Sequence, residues 1–290
     1  MKISRVDAPR CTVGEGPVWD AERQALYYLD IVGRKIHRYH PLTGATETWQ
    51  TPTSVGAMAL RGQNGAVLSQ DDGFYAIDFD TGALALLAKL EGKPERARFN
   101  DGKADCSGRF VVGLSDSDFQ DTQPIGGLYS LSTSHTITRL DKDIHFSNSP
   151  CFSPDGRTLY FADSFRYELY AYDYDVATGL AANRRVFANT RELGGMPDGA
   201  TVDGDGLVWM AIFDSGSVAA IRPDGKVERT VPVPVKMVSS VMFGGPGLGD
   251  LYFTSVDPSF FGGSSEEGAG HLFVIEGLGA RGVPEPRYAG

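Results

Sequence analysis

Five oxygen-bearing side chains recur at one point of a repeated sequence pattern: Glu15, Asn100, Asn148, Asp198 and Ser240. Glu15, Asn148 and Asp198 each stand just before an apolar run that ends in a turn and is followed by a second apolar run. Carboxylate and amide oxygens are typical ligands of hard or borderline divalent cations. We therefore expect the three side chains to hold one ion, namely Ca²⁺, Mg²⁺, Mn²⁺ or Fe²⁺. Zn²⁺ is also allowed, although its usual shell contains nitrogen or sulfur.

Each of these residues also has a purely structural interpretation. Glu15 lies in Gly-Glu-Gly-Pro, which could be a surface turn, and Asp198 lies in Pro-Asp-Gly, a common turn sequence. Asn148 could form an Asx turn before Pro150. The shared position of the three residues in the repeat favours a joint role over three separate turns.

The repeat itself predicts the fold. Taken as equivalent points, its six positions are separated by 41, 44, 48, 50 and 42 residues. They are Glu15, Gly56, Asn100, Asn148, Asp198 and Ser240. A period of 40–50 residues with four short strands per unit is typical of a β-propeller. The sequence therefore predicts an all-β, six-bladed β-propeller with four-stranded antiparallel blades, formed by residues 1–290 as a single domain.

The outer strands and the closure of the ring are also visible in the sequence. Period-2 segments flank Asp/Thr-Gly turns, for example residues 35–39 and 46–49 on either side of the turn 41–44. Residues 3–6 remain unassigned before the first unit. We expect them to pair with the last blade beside residues 271–275 and so to remove an open sheet edge.

Composition narrows the functional classes. The chain of 290 residues has a formal net charge of −10 and no cluster of Lys and Arg, which argues against binding to nucleic acid or to an anionic membrane. An apolar run of the ~20 residues that a membrane span needs is absent from the sequence, as is an apolar signal core at residues 1–7. Three widely spaced cysteines suggest small buried side chains in a reducing compartment. We expect a cytoplasmic protein.

Two polar segments interrupt the repeat. Residues 116–124 and 257–270 are rich in Gly, Ser and Asp and could be either loops over the central mouth or solvated insertions. The segment 203–206, Asp-Gly-Asp-Gly, lacks the other ligands of a calcium loop and is expected to be a hairpin turn.

Five motifs stand in the order of a known family. They are residues 14–19 (GEGPVW), 98–103 (RFNDGK), 147–150 (SNSP), 197–199 (PDG) and 243–246 (FGGP). This arrangement closely resembles the gluconolactonase/regucalcin (senescence marker protein) family of six-bladed propellers, over nearly the whole chain. The resemblance implies a divalent metal held by Glu15, Asn148 and Asp198.

The resemblance also implies substrate contacts and a reaction. Arg98 and Asn100 would contact a sugar lactone, and a further acidic contact, counted from Gly113, would fall on Asp118, where the local sequence departs from the family pattern. The implied activity is metal-dependent hydrolysis of a sugar 1,4- or 1,5-lactone to the aldonic acid. The cation polarises the carbonyl, and water attacks with Asp198 as general base. The expected partner is a small-molecule lactone, and the protein would be a monomer or a weak homo-oligomer.

Three other functions remain open at this point. The same residues could bind calcium in a regulatory protein without catalysis. The scaffold could also carry a lactonase or esterase for non-sugar substrates, whose pocket should be more apolar. A propeller that serves as an interaction platform is a third alternative, although it gives no use for polar residues gathered at the axis.

Overall fold

Short strands joined by tight turns make up almost all of the regular structure. The computed structural model describes residues 1–117 and 123–290. In these residues the strands are four to ten residues long, four short 3₁₀ helices connect some of them, and no α-helix occurs. Alternating apolar residues form the strands, and turns rich in Gly and Asp end them.

The strands form six antiparallel sheets of four strands each. Blades 1 and 2 consist of β2 (Gly14–Asp20), β3 (Ala25–Asp30), β4 (Lys35–His40) and β5 (Ala45–Gln50), then β6 (Val55–Arg61), β7 (Gly65–Gln70), β8 (Gly73–Asp78) and β9 (Leu84–Lys89). Blades 3 and 4 consist of β10 (Ala97–Ala104), β11 (Phe110–Asp116), β12 (Gly126–Leu131) and β13 (Ile137–Ile144), then β14 (Ser147–Phe152), β15 (Thr158–Asp163), β16 (Glu168–Asp175) and β17 (Leu180–Asn189).

Blade 5 consists of β18 (Met196–Val202), β19 (Val208–Phe213), β20 (Ser217–Ile221) and β21 (Val227–Pro232). Blade 6 consists of β22 (Val238–Gly244), β23 (Asp250–Ser255), β24 (Phe273–Glu276) and β1 (Lys2–Arg5). The 3₁₀ helices are Ser164–Arg166, Arg191–Leu193, Pro246–Leu248 and Pro258–Phe261.

The first strand of each sheet packs against the first strands of both neighbouring sheets, and β2 meets β22 to complete the circle. The N-terminal strand β1 pairs antiparallel with β24, with Ile3 opposite Ile275. The predicted six-bladed β-propeller and its closure by the N-terminal strand are therefore confirmed. The outermost strand of blade 6 precedes the other three in the chain, so the closure joins the two ends of the sequence.

The hydrophobic core is divided among the contacts between blades. The described residues form six buried clusters, and each lies between two neighbouring sheets. Between blades 5 and 6, for example, the rings of Trp209 and Phe243 pack edge to face at 5.9 Å. Burial of these side chains stabilises the ring by roughly 1.5–3 kcal/mol for each large residue.

Three smaller expectations have different outcomes. Cys11 and Cys151 are buried, but Cys106 is exposed because it lies in the turn between β10 and β11, so the expectation of three buried cysteines was wrong. The segment 203–206 is a hairpin turn in which the Asp203 carboxylate accepts hydrogen bonds from the backbone of Asp205 and Leu207. None of the helices in the described residues has the length and hydrophobicity of a membrane span.

Candidate active site

A β-bulge interrupts each innermost strand at or next to the repeated position, which is polar in every blade except blade 2. The ladder of β2 with β3 shifts just after Glu15, that of β14 with β15 just after Asn148, and that of β18 with β19 around Asp198. The innermost strands of the other three blades are interrupted in the same way. A bulge breaks the strict alternation of side chains and re-aims the residue beside it.

The re-aimed side chains line one cavity of about 480 Å³. Glu15, Arg98, Asn100, Asn148 and Asp198 all border it, so the structure brings together all but one of the residues that the sequence singled out. The remaining one, Asp118, lies outside the described residues. The volume is within the range of small-molecule sites.

A chain of hydrogen bonds orients the amides at the floor of the cavity. Arg98 Nη1 donates to Asn100 Oδ1 at 2.8 Å, and Asn100 Nδ2 donates to Asn148 Oδ1 at 2.8 Å. Asn148 Nδ2 donates to Ser164 Oγ at 3.0 Å, and that hydroxyl donates to the carbonyl of Pro197 at 2.6 Å. Because the other lone pair of Asn148 Oδ1 is not used in this chain, the oxygen can still bind a cation.

The two carboxyl groups of the site are in contact. A hydrogen bond joins the side chains of Glu15 and Asp198. Burial raises the pKa of Glu15 to about 8, and the charge of Asp101 adds to the effect. Burial and the charge of Glu15 also raise the pKa of Asp198. Two facing carboxylates in a poorly hydrated cavity repel each other, so an ion bound to both would lower the free energy of the ionised pair.

Arg98 supplies a positive charge to the same cavity. Burial lowers its pKa to about 10, while the charges of Glu15 and Asp198 act in the opposite direction. The guanidinium therefore stays charged at neutral pH. Its central carbon also lies 5.5 Å from the centre of the Phe146 ring, in cation–π contact.

A second buried group of charges lies directly behind the site. The Asp101 carboxylate accepts hydrogen bonds from the backbone N–H of Gly102 at 2.8 Å and of Ser149 at 3.0 Å. Burial raises the pKa of Asp101 to about 6, and the charge of Lys103 opposes this rise. Lys103 Nζ donates to Glu285 Oε1 and to the carbonyl of Ala200, both at 3.2 Å.

The charges of the two groups leave an imbalance that suits a divalent cation. Four carboxyl groups and two cationic side chains form one electrostatically connected cluster, which would have a formal excess of two negative charges with all four carboxyls ionised. They are Glu15, Asp101, Asp198, Glu285, Arg98 and Lys103. The raised pKa of Glu15 favours a proton there when no ion is bound, whereas an ion of charge +2 would balance the excess with all four groups ionised.

The donor set would be two carboxylates and one amide. Within the described part of the chain, no group of three or more His, Cys, Asp and Glu side chains is placed to hold a metal ion. An ion in this cavity would therefore need the amide oxygen of Asn148 beside Glu15 and Asp198. Such an all-oxygen set suits Ca²⁺, Mg²⁺ or Mn²⁺ better than metals that prefer sulfur.

Sequence reasoning missed several residues of the site. Asp101 and Lys103 were visible in the motif 98–103 but were given no role, because the bulge that turns them behind the cavity cannot be read from the pattern. Ser164 was missed because it comes from a 3₁₀ helix after the second strand of blade 4. The phenylalanines that line the rest of the cavity were missed as well.

Comparison with known proteins gives a consistent result along the chain. The family model described as "SMP-30/Gluconolactonase/LRE-like region" matches residues 13–257. Regucalcin of Danio rerio is 35% identical over 296 residues, which cover 100% of this chain and 99% of that protein.

Solved structures agree with these matches. A luciferin-regenerating enzyme superposes with a TM-score of 0.92 at 29% identity, covering 99% of this chain and 98% of that one. A calcium-binding protein, regucalcin, from Agrobacterium tumefaciens superposes with a TM-score of 0.90 at 30% identity, covering 98% of this chain and 96% of that one.

Proposed function

Because the chain belongs to the SMP-30/gluconolactonase/LRE-like family, we propose that it is a divalent-cation-dependent hydrolase of sugar lactones. The observation that carries the proposal is the convergence of two carboxyls, an amide and a guanidinium on one cavity. The family description, which includes gluconolactonase, supports a sugar lactone as the substrate class, and we propose a 1,4- or 1,5-aldonolactone that is opened to the aldonic acid.

Glu15, Asn148 and Asp198 would hold the cation. When bound, the ion supplies Lewis-acid polarisation of the lactone carbonyl and stabilises negative charge on its oxygen. The ion could be Ca²⁺, Mg²⁺, Mn²⁺, Fe²⁺ or Zn²⁺. The excess negative charge of the cluster supports a dication in general rather than one particular metal.

Asp198 is the residue that we assign as general base. Its carboxylate would accept a proton from the attacking water and later return it to the departing ring oxygen. The carboxylate must be ionised to do this, and a neighbouring positive charge favours the ionised form. The hydrogen bond from Ser149 Oγ to the backbone carbonyl of Asp198 holds the residue in place.

Arg98 and Asn100 would orient the substrate. Arg98 borders the cavity beside Asn100, and a guanidinium is suited to donate to the carbonyl or the hydroxyls of a lactone. Fixing the ester group next to the base reduces the entropy that is lost on reaching the transition state.

A second candidate function is calcium binding without hydrolysis. The A. tumefaciens relative is described as a calcium-binding protein, and the same oxygen ligands would serve that role. The two functions differ in whether Asp198 acts on a proton, so one enzymatic assay separates them.

The test compares Asp198→Asn with Asp224→Asn. Asp224 lies in an exposed hairpin turn of blade 5 and is the matched control. We expect the metal-loaded wild-type protein and Asp224→Asn to hydrolyse glucono-1,5-lactone in a pH-indicator assay. We expect Asp198→Asn to lose on the order of 10²–10⁴-fold in kcat/KM, since it loses both the base and a ligand. Full activity of Asp198→Asn, or of exhaustively chelated wild-type protein, would refute the proposal.

A further inference from the structure

Five phenylalanine rings cover one side of the cavity that holds the polar residues. We call this surface the aromatic wall; it consists of Phe146, Phe165, Phe213, Phe260 and Phe261. The rings come from the neighbouring blades 4, 5 and 6, at the same end of the ring as the carboxyls. The wall and the polar floor are therefore parts of one cavity.

The rings of the wall contact one another in pairs. Phe146 and Phe165 are stacked with centroids 5.1 Å apart, and Phe213 meets Phe261 edge to face at 6.1 Å. Phe260 and Phe261 pack edge to face at 4.9 Å. Phe146 also lies beside the Arg98 guanidinium, so the wall begins where the polar floor ends.

The outer part of the wall is held by its own hydrogen bonds. Phe260 and Phe261 lie in the 3₁₀ helix Pro258–Phe261, which is capped by Asp257 through the N–H of Ser259 at 3.0 Å. The Asp257 carboxylate also forms an ion pair with Arg10. This anchoring answers the question that the sequence left open for residues 257–270, because part of the segment forms one side of the cavity.

The wall leaves apolar surface in contact with solvent. Phe260 is 37% exposed and Phe261 is 50% exposed. Val32, at 42% exposed, borders the same cavity from blade 1. Single exposed apolar residues are common, but several of them around one cavity mark a surface that is covered by a ligand.

The chemistry of the wall selects the part of a substrate that would lie on it. A phenylalanine ring offers no group that replaces the water lost by a buried hydroxyl, so a polyhydroxylated chain placed there would be penalised. An alkyl or aryl group would instead gain free energy as its surface is removed from water.

We propose that the aromatic wall is a specificity subsite for an apolar substituent on the lactone ring, so that the enzyme prefers alkyl- or aryl-substituted lactones to free aldonolactones. The proposal rests on the proposed lactonase function, because the ester group is still assigned to the polar floor. It deepens that function by naming the substituent that the preferred lactone would carry.

The first test is a series of γ-lactones that differ only in the length of the side chain. The reacting ring is constant from γ-butyrolactone through γ-hexalactone and γ-octalactone to γ-decalactone, so any trend reports on the arm. We expect kcat/KM of the metal-loaded enzyme to rise about two- to fourfold for each methylene that the wall covers. We also expect kcat/KM for γ-decalactone to exceed kcat/KM for glucono-1,5-lactone.

Variants locate the effect on the wall. Phe261→Ser should flatten the dependence on chain length, so that the fall in kcat/KM relative to wild type grows from γ-butyrolactone to γ-decalactone. Phe261→Leu should largely keep the dependence, because it remains apolar. Leu42→Ser, at an exposed apolar residue between β4 and β5 that does not border the cavity, is the matched control and should behave as wild type.

A binding measurement separates this proposal from the proposed function. Alkyl γ-lactams resemble the lactones but are not hydrolysed under assay conditions, so their Kd from calorimetry reports binding at the wall even if turnover is absent.

If glucono-1,5-lactone is hydrolysed but chain length changes neither kcat/KM nor Kd, the wall proposal fails and the proposed function stands. If no lactone is hydrolysed but lactam affinity rises with chain length, the proposed function fails and the apolar subsite stands. A Phe261→Ser loss confined to glucono-1,5-lactone would show a sugar-stacking platform and overturn the proposal.

Discussion

Arg98 determines which way two side-chain amides face at the floor of the cavity. A guanidinium can only donate hydrogen bonds, so the oxygen of Asn100 must point to it and the nitrogen of Asn100 must point to Asn148. The oxygen of Asn148 is therefore the atom turned toward Asn100, with one lone pair left for a cation. Motif spacing predicted that these residues meet, but the direction of each amide follows only from the hydrogen-bond chain.

Ser149 shows a residue-scale feature that the sequence did not reveal. It has a φ of +60°, a left-handed conformation that is unusual for a residue other than glycine. Its N–H donates to Asp101 at 3.0 Å, and its hydroxyl donates to the carbonyl of Asp198. These two hydrogen bonds stabilise the left-handed backbone at Ser149. They also fix the preceding residue, Asn148, relative to Asp198. Both partners of Ser149 belong to other blades, so its role in positioning the site could not be predicted from the local sequence.

His37 gives a prediction for the pH dependence of stability. Its ring is 2% exposed, hydrogen-bonds to Thr48 at 2.8 Å and packs against Tyr28. Burial lowers its pKa from 6.5 to about 4. Between these two values the unfolded chain binds more protons, so the folded state loses stability as pH falls from about 6.5 to 4.

The measurement is the free energy of unfolding at pH 7 and at pH 4.5. His37→Asn should reduce the wild-type loss over this range by roughly 2–3 kcal/mol. Leu42→Ser, at an exposed position without a titratable group just after the same strand, is the control and should keep the wild-type pH dependence. If His37→Asn shows the same pH dependence as the wild type, the claim that burial of His37 lowers its pKa and destabilises the protein at low pH is wrong.

At the scale of the strand, the bulge is the feature that all six blades share. Every innermost strand changes register with its neighbour near the repeated position. Glycine is needed at this position in blade 2, because a Cβ on Gly56 would lie 2.4 Å from the carbonyl oxygen of Phe99 and 2.9 Å from that of Asn100. Blade 2 therefore contributes no side-chain donor there, as its glycine allows blade 3 to approach.

Gly56→Ala tests this close approach. The added methyl must displace backbone of β10 on either side of Asn100, so we expect a loss of about 1–3 kcal/mol in the free energy of unfolding. Because Arg98 and Asn100 move with that strand, kcat/KM for the preferred lactone should also fall, by about 10-fold. Gly249→Ala, just before β23 where a Cβ meets nothing within 4 Å, serves as the control, because neither Gly56 nor Gly249 has a positive φ. If Gly56→Ala has the stability and activity of the wild type, the close approach of β10 to Gly56 does not require glycine there.

An aspartate that accepts backbone hydrogen bonds recurs at the end of the second strand of a blade. Asp30 at the end of β3 accepts hydrogen bonds from the backbone N–H of Thr12 and Val13, just before β2. Asp163 at the end of β15 accepts in the same way from His145 and Phe146, just before β14. These carboxylates hold the entry to the innermost strand and so position the bulge that follows. The sequence contains this aspartate pattern, but its partners lie 15 or more residues away.

At the scale of the whole molecule, both ends of the chain contribute to the ring. The strand β1 completes blade 6, as the leftover apolar segment at the N-terminus predicted. The C-terminal segment 277–290 was not predicted, because it has no period and is rich in Gly and Pro. It crosses the side of the propeller opposite the aromatic wall and reaches five of the six blades through backbone and side-chain contacts.

This C-terminal segment also reaches the charges behind the site. Glu285 pairs with Lys103, which lies beside Asp101, and Arg287 binds Asp20 at 2.7 Å. Tyr288 is buried and donates to the carbonyl of Ser132 at 2.8 Å.

The fold class and the meeting of the site residues followed from local patterns and their period. The charged cluster behind the site and the aromatic wall depend on contacts between distant segments, which a local pattern does not encode.

The most direct test of the central claim is a calorimetric titration of Ca²⁺ and Mn²⁺ into chelator-treated protein. We predict one ion per chain for the wild type and for Asp224→Asn. For Glu15→Gln, Asn148→Leu and Asp198→Asn, each still folded by thermal unfolding, we predict a loss of affinity of about tenfold or more. Wild-type affinity in all three folded variants would contradict the claim that these side chains share one cation.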